Sequence, residues 1–281
     1  KHDPATLSRT TREVTAAYLA AGIDPKKAII FNQSQVKEHA ELAWIFNCIA
    51  RMGWLSRMTQ FKEKAGKNRE NASVGLFAYP TLMAADILLY RATHVPVGDD
   101  QLPMLEQTNE IVRKMNSLAG KPILNECRPL LSNASRLPST DGKSMMSKSM
   151  GNAINLGATE KEIRAAVKSM YTDPNHLRIE DPGKVEGNIV FTYLDAFHAD
   201  ANYVSQLKEH YQKGGLGDGQ TKKVLEECLQ EMLRPIRERR SELLNDKAQL
   251  IDILRSGTQV SRERTQKVLF DVREVFGLNI L

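Results

Sequence analysis

The run Gly142-Lys143-Ser144-Met145-Met146-Ser147-Lys148-Ser149-Met150-Gly151-Asn152 holds two lysines, three serines and no acid. Pro138-Ser139-Thr140-Asp141, just ahead of it, reads as turn and loop. Such a loop suits a polyphosphate: lysine brings a point charge, while hydroxyls and backbone N–H groups bring donors. The plain alternative is a solvated surface loop. A second set is Tyr79, Met83 and Asp86, spaced so that one helix face carries a phenol, a thioether and an acid. A buried carboxylate is costly unless it is paired. Asp86 is therefore either a structural acid, paired with Arg91, or the acceptor of a ligand's N–H. A third set is Gly98-Asp99-Asp100-Gln101. Asp100 suits ribose hydroxyls and Gln101 a polar head group, although Asp and Gly are also ordinary turn residues. A metal site is the other reading of Asp99-Asp100, disfavoured without further clustered acids or histidines. Finally, Arg57, Lys62, Lys64 and Lys67 lie close together, as a solvated face or as an anion site at a cleft edge.

These groups need elements to hold them. Asp3-Pro4 reads as an N-cap with proline at the first helical position. Leu7, Thr11, Val14 and Tyr18 continue at helical spacing to a stop at Gly22. Ala28-Ile29-Ile30-Phe31 predicts a buried parallel strand. Ser34 opens a second helix, on which Ala40, Trp44 and Cys48 share a face. Tyr79-Pro80 opens another, running on through Leu82 to Tyr90, with the proline suited to a first turn. His94 to Val97 predicts a strand with Gly98 to Gln101 at its carboxyl end, where open α/β sheets bind ligands. A helix carrying Leu105, Val112 and Met115 follows. This rhythm predicts an α/β fold with a doubly wound parallel, Rossmann-like sheet.

From Thr159, an N-cap with Glu162 three residues on, the pattern turns helical. Gly214 to Gly219 reads as a flexible loop; it lacks the Gly-Lys-Ser/Thr ending of a phosphate loop. Lys222 to Leu233 reads as an amphipathic helix. Arg234, Arg237, Arg239 and Arg240 follow, as a charged face or as phosphate contacts. The division predicted is a nucleotide-binding domain over residues 1–157 and an all-helical domain over 158–281.

Composition sets outer bounds. The 281 residues are 41% apolar and 26% charged, ordinary for a globular protein. A net charge of +5 permits a nucleic-acid partner without requiring one. Cys48, Cys127 and Cys228 are far apart, which argues against a disulfide framework or a zinc knuckle. A reducing, cytoplasmic compartment is the default. No apolar run approaches membrane-spanning length, and no stretch reads as a signal peptide.

Several stretches resemble bacterial tryptophanyl-tRNA synthetases, a family of class I aminoacyl-tRNA synthetases. They are Ala21-Gly22-Ile23-Asp24-Pro25, Gln33-Ser34, Met58-Thr59-Gln60-Phe61-Lys62, Tyr79 to Leu88, Val97 to Gln101, and Met146-Ser147-Lys148-Ser149. The resemblance spans essentially the whole chain. Tyr79 to Leu88 is its most specific part; the last stretch is the Lys-Met-Ser-Lys-Ser loop of class I enzymes in general. The resemblance implies that Asp86 binds the indole N–H of L-tryptophan, while Tyr79 and Gln101 hold the amino-acid head group. It implies indole walls at Met83, Val95 and Val97, and an adenosine side at Gly98, Asp99, Asp100 and Leu137. Lys64 and Lys148 would face the phosphates of ATP as catalytic groups, with Met145, Met146, Ser147 and Ser149 completing the ATP loop. The helical region would recognise the tRNA(Trp) anticodon, the enzyme would be a homodimer, and Mg2+ would be held mostly by phosphates.

Two departures stand out. Met145 occupies the place of the loop's first lysine, and Lys143 is the nearest substitute. The Pro-Thr/Ser-Gly…His/Thr-Ile/Leu-Gly-Asn signature of the family does not occur. It would lie upstream of Lys1, so the stretch from Lys1 to Leu281 alone is expected not to activate tryptophan. Two rival readings remain. One is a tyrosyl-tRNA synthetase, against which Met83 argues, since a phenol wants polar partners. The other is a non-catalytic module that binds tRNA or tryptophan.

A lysine that strengthens its contact as charge grows on the leaving pyrophosphate lowers kcat when removed, not substrate affinity. Lys148→Ala is expected to slow tryptophan-dependent ATP–pyrophosphate exchange in the full-length protein with the KM for tryptophan unchanged. An unchanged kcat would remove Lys148 from the chemistry.

Overall fold

The structure is a computed structural model describing residues 3–58, 61, 69–132, 137–142, 146 and 151–279. Contacts divide the chain into two compact units, each made of two stretches: Lys1–Ala28 with Arg136–Ile251, and Ile29–Ser135 with Asp252–Leu281. These units do not follow a linear division at 157/158. The first helix counts with residues after 136, and the end of the last helix counts with residues 29–135.

In the unit built from Ile29–Ser135 and Asp252–Leu281, α2 (Glu38–Asn47) lies against α4 (Val74–Leu88), with the short α3 (Met52–Leu55) between them in sequence. Leu42, Ala43 and Phe46 form the inward face of α2, and Ala84, Leu88 and Leu89 meet them from the α4 segment. The face shared by Ala40, Trp44 and Cys48 is the outward one. α4 starts at Val74, ahead of Tyr79-Pro80. Ser73 is its N-cap, accepting from the Leu76 N–H at 3.2 Å, and Pro80 is an interior residue. A capping serine sets a start more strongly than an interior proline ends a helix that is packed on both sides. The Tyr79–Met83–Asp86 face survives the shift, because all three residues stay within one helix.

After α4, β1 (His94–Pro96) pairs in parallel with β2 (Arg128–Leu130), His94 opposite Arg128. Between them, α5 (Leu102–Ala119) buries Leu105, Ile111, Val112 and Met115 on the same core and stops at Gly120 with φ 66°. Among the described residues the sheet has these two strands. Ile29 to Phe31 form no strand there. The segment runs against the last helix, α10 (Lys247–Val275): just after it, the Asn32 N–H donates to Thr258 Oγ1 at 3.1 Å. A Cβ on Gly257 would stand 2.0 Å from the Ile30 carbonyl oxygen, so glycine is what allows this approach.

In the other unit, α1 (Pro4–Ala20) is capped by Asp3, which accepts from the Thr6 N–H at 3.0 Å. It packs along α9 (Asp218–Asn245), which absorbs Lys222 to Leu233 and runs on past Pro235. α6 (Glu160–Lys168) opens with a complete capping box between Thr159 and Glu162. α7 (Ile189–Phe197) and α8 (Ala201–Lys213) close a core of Ile163, Val167, Phe191, Leu194, Tyr211, Leu225 and Leu229. The glycines after α8 serve close packing, not freedom of movement. Gly215 N–H donates to the Ile179 carbonyl at 2.6 Å, and a Cβ on Gly214 would lie 2.2 Å from the Glu180 carbonyl oxygen. Among the described residues no helix is long and apolar enough to cross a membrane.

Gly257 and Gly219 give opposite predictions. Gly257→Ala forces α10 away from Ile30 and is expected to cost about 1–3 kcal/mol in urea unfolding. Gly219 lies in α9 with open space around it. Gly219→Ala is expected to add up to about 1 kcal/mol in the same assay.

Candidate functional site

The α4 face sets the site. Tyr79, Met83 and Asp86 are all half-buried, and Met83, Val95 and Val97 lean on the apolar core. Tyr79 directs its hydroxyl to Met104 Sδ at 3.8 Å, and burial raises its pKa. The Asp86 carboxylate is the charged member. Oδ1 accepts from Gln33 Nε2 and from His39 Nδ1, each at 2.6 Å. Arg91, the sequence candidate for its partner, turns elsewhere: it adopts φ 49°, donates to the Ile123 carbonyl at 3.0 Å and pairs with Asp271 at 2.7 Å. The turn that ends α4 carries Arg91 off the Asp86 face.

His39 is the residue that sequence reasoning missed. It lies on the buried face of α2, with Nε2 2.9 Å from the Tyr90 hydroxyl and its ring stacked 5.8 Å from Phe31. Burial pushes the Tyr90 phenol up in pKa, and the carboxylates of Asp86 and Glu38 add to the rise. Glu38 is itself 2% exposed in the first turn of α2, and among the described residues its Oε2 has no hydrogen-bond partner. Position along the chain carries no sign of this cluster, since Gln33 and His39 lie 53 and 47 residues from Asp86. An apolar-face histidine next to a capped turn was the one local hint.

At the carboxyl end of β1, Asp99 to Gln101 form one 3₁₀ turn behind Gly98 and lead directly into α5. Gln101 Nε2 donates to Asp100 Oδ2 at 2.8 Å, so the two side chains assigned to different parts of a ligand hold one another. Among the described residues no group of three or more His, Cys, Asp and Glu side chains stands together to hold a metal ion.

The basic loop belongs to the other unit, and its two ends are described. The Thr140 N–H and hydroxyl both reach the Asn152 carbonyl, at 3.3 and 3.4 Å, and Gly142 and Gly151 have φ of 68° and 66°. Leu137 is half-buried beside Pro138, whose carbonyl accepts from the Tyr193 hydroxyl at 2.8 Å. The Tyr193 hydroxyl also lies 3.4 Å from Met146 Sδ. Lys64, Met145, Ser147, Lys148 and Ser149 lie outside the described residues. Of the arginines after Leu233, Arg237 is used inside the unit: it donates to the Ala158 carbonyl at 2.9 Å and lies 3.6 Å from Glu160. Arg240 packs over Gly157, while Arg234 and Arg239 are exposed.

The family described as tRNA synthetases class I (W and Y) matches residues 1–234. The chain belongs to that family. A tryptophan–tRNA ligase of Clostridium longisporum is 46% identical over 280 residues, covering 98% of this chain and 82% of that protein. The corresponding ligase of Streptococcus pneumoniae is 42% identical, covering 99% and 83%. The solved tryptophanyl-tRNA synthetase of Campylobacter jejuni, complexed with ADP and tryptophan, superposes with a TM-score of 0.80 at 35% identity, covering 99% of this chain and 86% of that one. The Mycoplasma pneumoniae enzyme gives 0.83 at 26% identity, covering 99% and 85%. This class I synthetase is thus helix-rich around a parallel sheet.

Burial raises the Tyr193 pKa to about 12. A phenol whose folded pKa is raised stabilises the fold below the unfolded value and loses that contribution as pH rises through the folded one. Unfolding stability is expected to decline from about pH 10 upward, and Tyr193→Phe to flatten that decline. Urea titrations at stepped alkaline pH measure it; an unchanged slope in the variant would exclude Tyr193.

Proposed function

We propose that this protein, with the family's nucleotide-binding signature segment in place, activates L-tryptophan with ATP, forming tryptophanyl-adenylate and pyrophosphate, and then transfers the tryptophanyl group to the 3′ end of tRNA(Trp). The observation that carries this reading is the Asp86 carboxylate, half-open on a face with Tyr79 and Met83 and held by two donors at one oxygen. The identity of 46% and 42% to tryptophan–tRNA ligases supports it. An apolar wall of Met83, Val95 and Val97 with one acid suits an indole, whose only polar atom is an N–H donor. A phenol offers both donor and acceptor and suits such a wall less well.

In this reading no protein nucleophile is needed. The tryptophan carboxylate oxygen attacks the α-phosphorus of ATP, the bond to the bridging oxygen breaks, and pyrophosphate leaves with the electron pair. Catalysis is then positioning plus stabilisation of charge on the leaving group. Tyr79 and Gln101 hold the amino-acid head, and Gly98, Asp99, Asp100 and Leu137 take the adenosine side. Lys148 and Lys64, with Met145, Met146, Ser147 and Ser149, face the phosphates. ATP enters with Mg2+ held on its phosphates. In the second step the terminal ribose hydroxyl attacks the acyl carbon and AMP leaves. The helical residues 158–281 serve the tRNA, with exposed Arg234 and Arg239 available to phosphates. Trp44, Met52 and Val74, exposed by 69%, 71% and 81%, suit a second copy in a homodimer. The cytoplasm is the compartment of such a protein.

The test is Asp86→Asn. Sites built to pair a donor reject analogues without one by about 10⁴-fold. The variant is expected to lose most of its preference for tryptophan over phenylalanine with little change in melting midpoint. Wild-type tryptophan affinity in a folded variant, or simple unfolding, would make Asp86 a structural acid.

A further inference from the structure

The Asp86 carboxylate is held from behind. A carboxylate only accepts, so His39 Nδ1 is the donor in its 2.6 Å contact with Oδ1. On the other side of the ring, Nε2 stands 2.9 Å from the Tyr90 hydroxyl. Asp86 lies on α4 and Tyr90 one turn further on, so one imidazole bridges two groups of the same helix edge. The His39 side chain is 4% exposed, while that of Asp86 is 37% exposed. Phe31 stacks on the His39 ring and also lies 5.6 Å from Tyr90, which closes the back of the cluster. Among the described residues Oδ2 of Asp86 has no hydrogen-bond partner, so the open side of the carboxylate is the side left for a ligand. The second donor, Gln33, is exposed on a 3₁₀ turn. It has rotamer freedom that the packed histidine lacks.

We propose that His39 is a positioning residue for Asp86: its Nδ1–H fixes the carboxylate so that Oδ2 meets a ring N–H, and His39 thereby sets selectivity for ligands carrying that donor. The proposal rests on the reading of Asp86 as the indole acceptor. Without the histidine, the half-exposed carboxylate is free to rotate and to take water, and the cost of re-ordering it falls on the ligand. Packing alone does not need the nitrogen atoms, because a phenyl ring fills the same place beside Phe31.

The probes are L-tryptophan and β-(3-benzothienyl)-L-alanine, which has sulfur in place of the ring N–H, with dissociation constants measured on the full-length protein. His39→Phe is expected to cut the wild-type preference for tryptophan by about tenfold or more, chiefly by weakening tryptophan. His39→Asn, whose amide nitrogen falls near the position of Nδ1, is expected to stay within about threefold of wild type. His39→Gln, which reaches instead toward Tyr90, is expected to behave like His39→Phe. Full preference in His39→Phe overturns the proposal, and so does asparagine performing no better than glutamine. If His39→Phe does not fold, the Asn and Gln pair decides alone. A wild-type protein without preference overturns the Asp86 reading beneath it; preference that survives in His39→Gln overturns this proposal only.

Discussion

An acid on an apolar helix has to be solvated by something, and in this fold the solvent is protein. Asp86 stands among Met83, Ala85, Ile87 and Leu88, where water alone would serve it poorly. Two donors at 2.6 Å take over, one from a capped turn and one from α2. That requirement fixes much of the unit. α2 has to lie against α4 with His39 inward, and Asn47 further along accepts from Thr81 at 2.6 Å to hold the register. Arg273 pairs with Glu41 and Arg262 donates to the Gln35 carbonyl at 2.8 Å, so α10 fastens the outer side of the segment that supplies both donors. The charged group at the centre thus dictates which apolar faces meet.

Local rules were easy to read where the signal was local. Asp3-Pro4, Thr159 with Glu162, and Gly22 after α1 each act through backbone groups a few residues away, and each appears where its chemistry puts it. The face shared by Tyr79, Met83 and Asp86 was legible for the same reason. Ile29 to Phe31 was not: a short apolar run looks the same whether it meets a strand or the side of a helix, and here Gly257 brings a helix. The start of α4 was hidden because Ser73 precedes an apolar run that also suits a strand, while Pro80 drew attention to itself. Gly214 and Gly215 were read as slack, but the missing side chain of Gly214 admits the Glu180 carbonyl and that of Gly215 admits the His210 ring. The partners of Asp86 had no local mark at all, because a tertiary hydrogen bond leaves no periodicity.

The division into units follows the same logic. Periodicity and composition change near residue 158, which reads as a boundary along the chain. Packing follows apolar faces instead, so Leu19 and Ala16 of α1 are buried with the later helices, and Val268 and Val272 of α10 with the earlier ones. A class I synthetase of this kind is continuous in function along its sequence and discontinuous in its cores.

The clasp between Thr140 and Asn152 has a consequence for how the protein can change over generations. Closing a loop costs conformational entropy that grows only with the logarithm of its length, about 0.6 kcal/mol for each doubling. Here the ends are joined by backbone contacts and turned by left-handed glycines at 142 and 151, with Tyr193 gripping the carbonyl of Pro138 next door. Among the described residues the closure is carried mainly by main-chain groups, which a change of side chain at 140 or 152 leaves in place. The two glycines are the opposite case, because a left-handed turn strains any residue that has a Cβ.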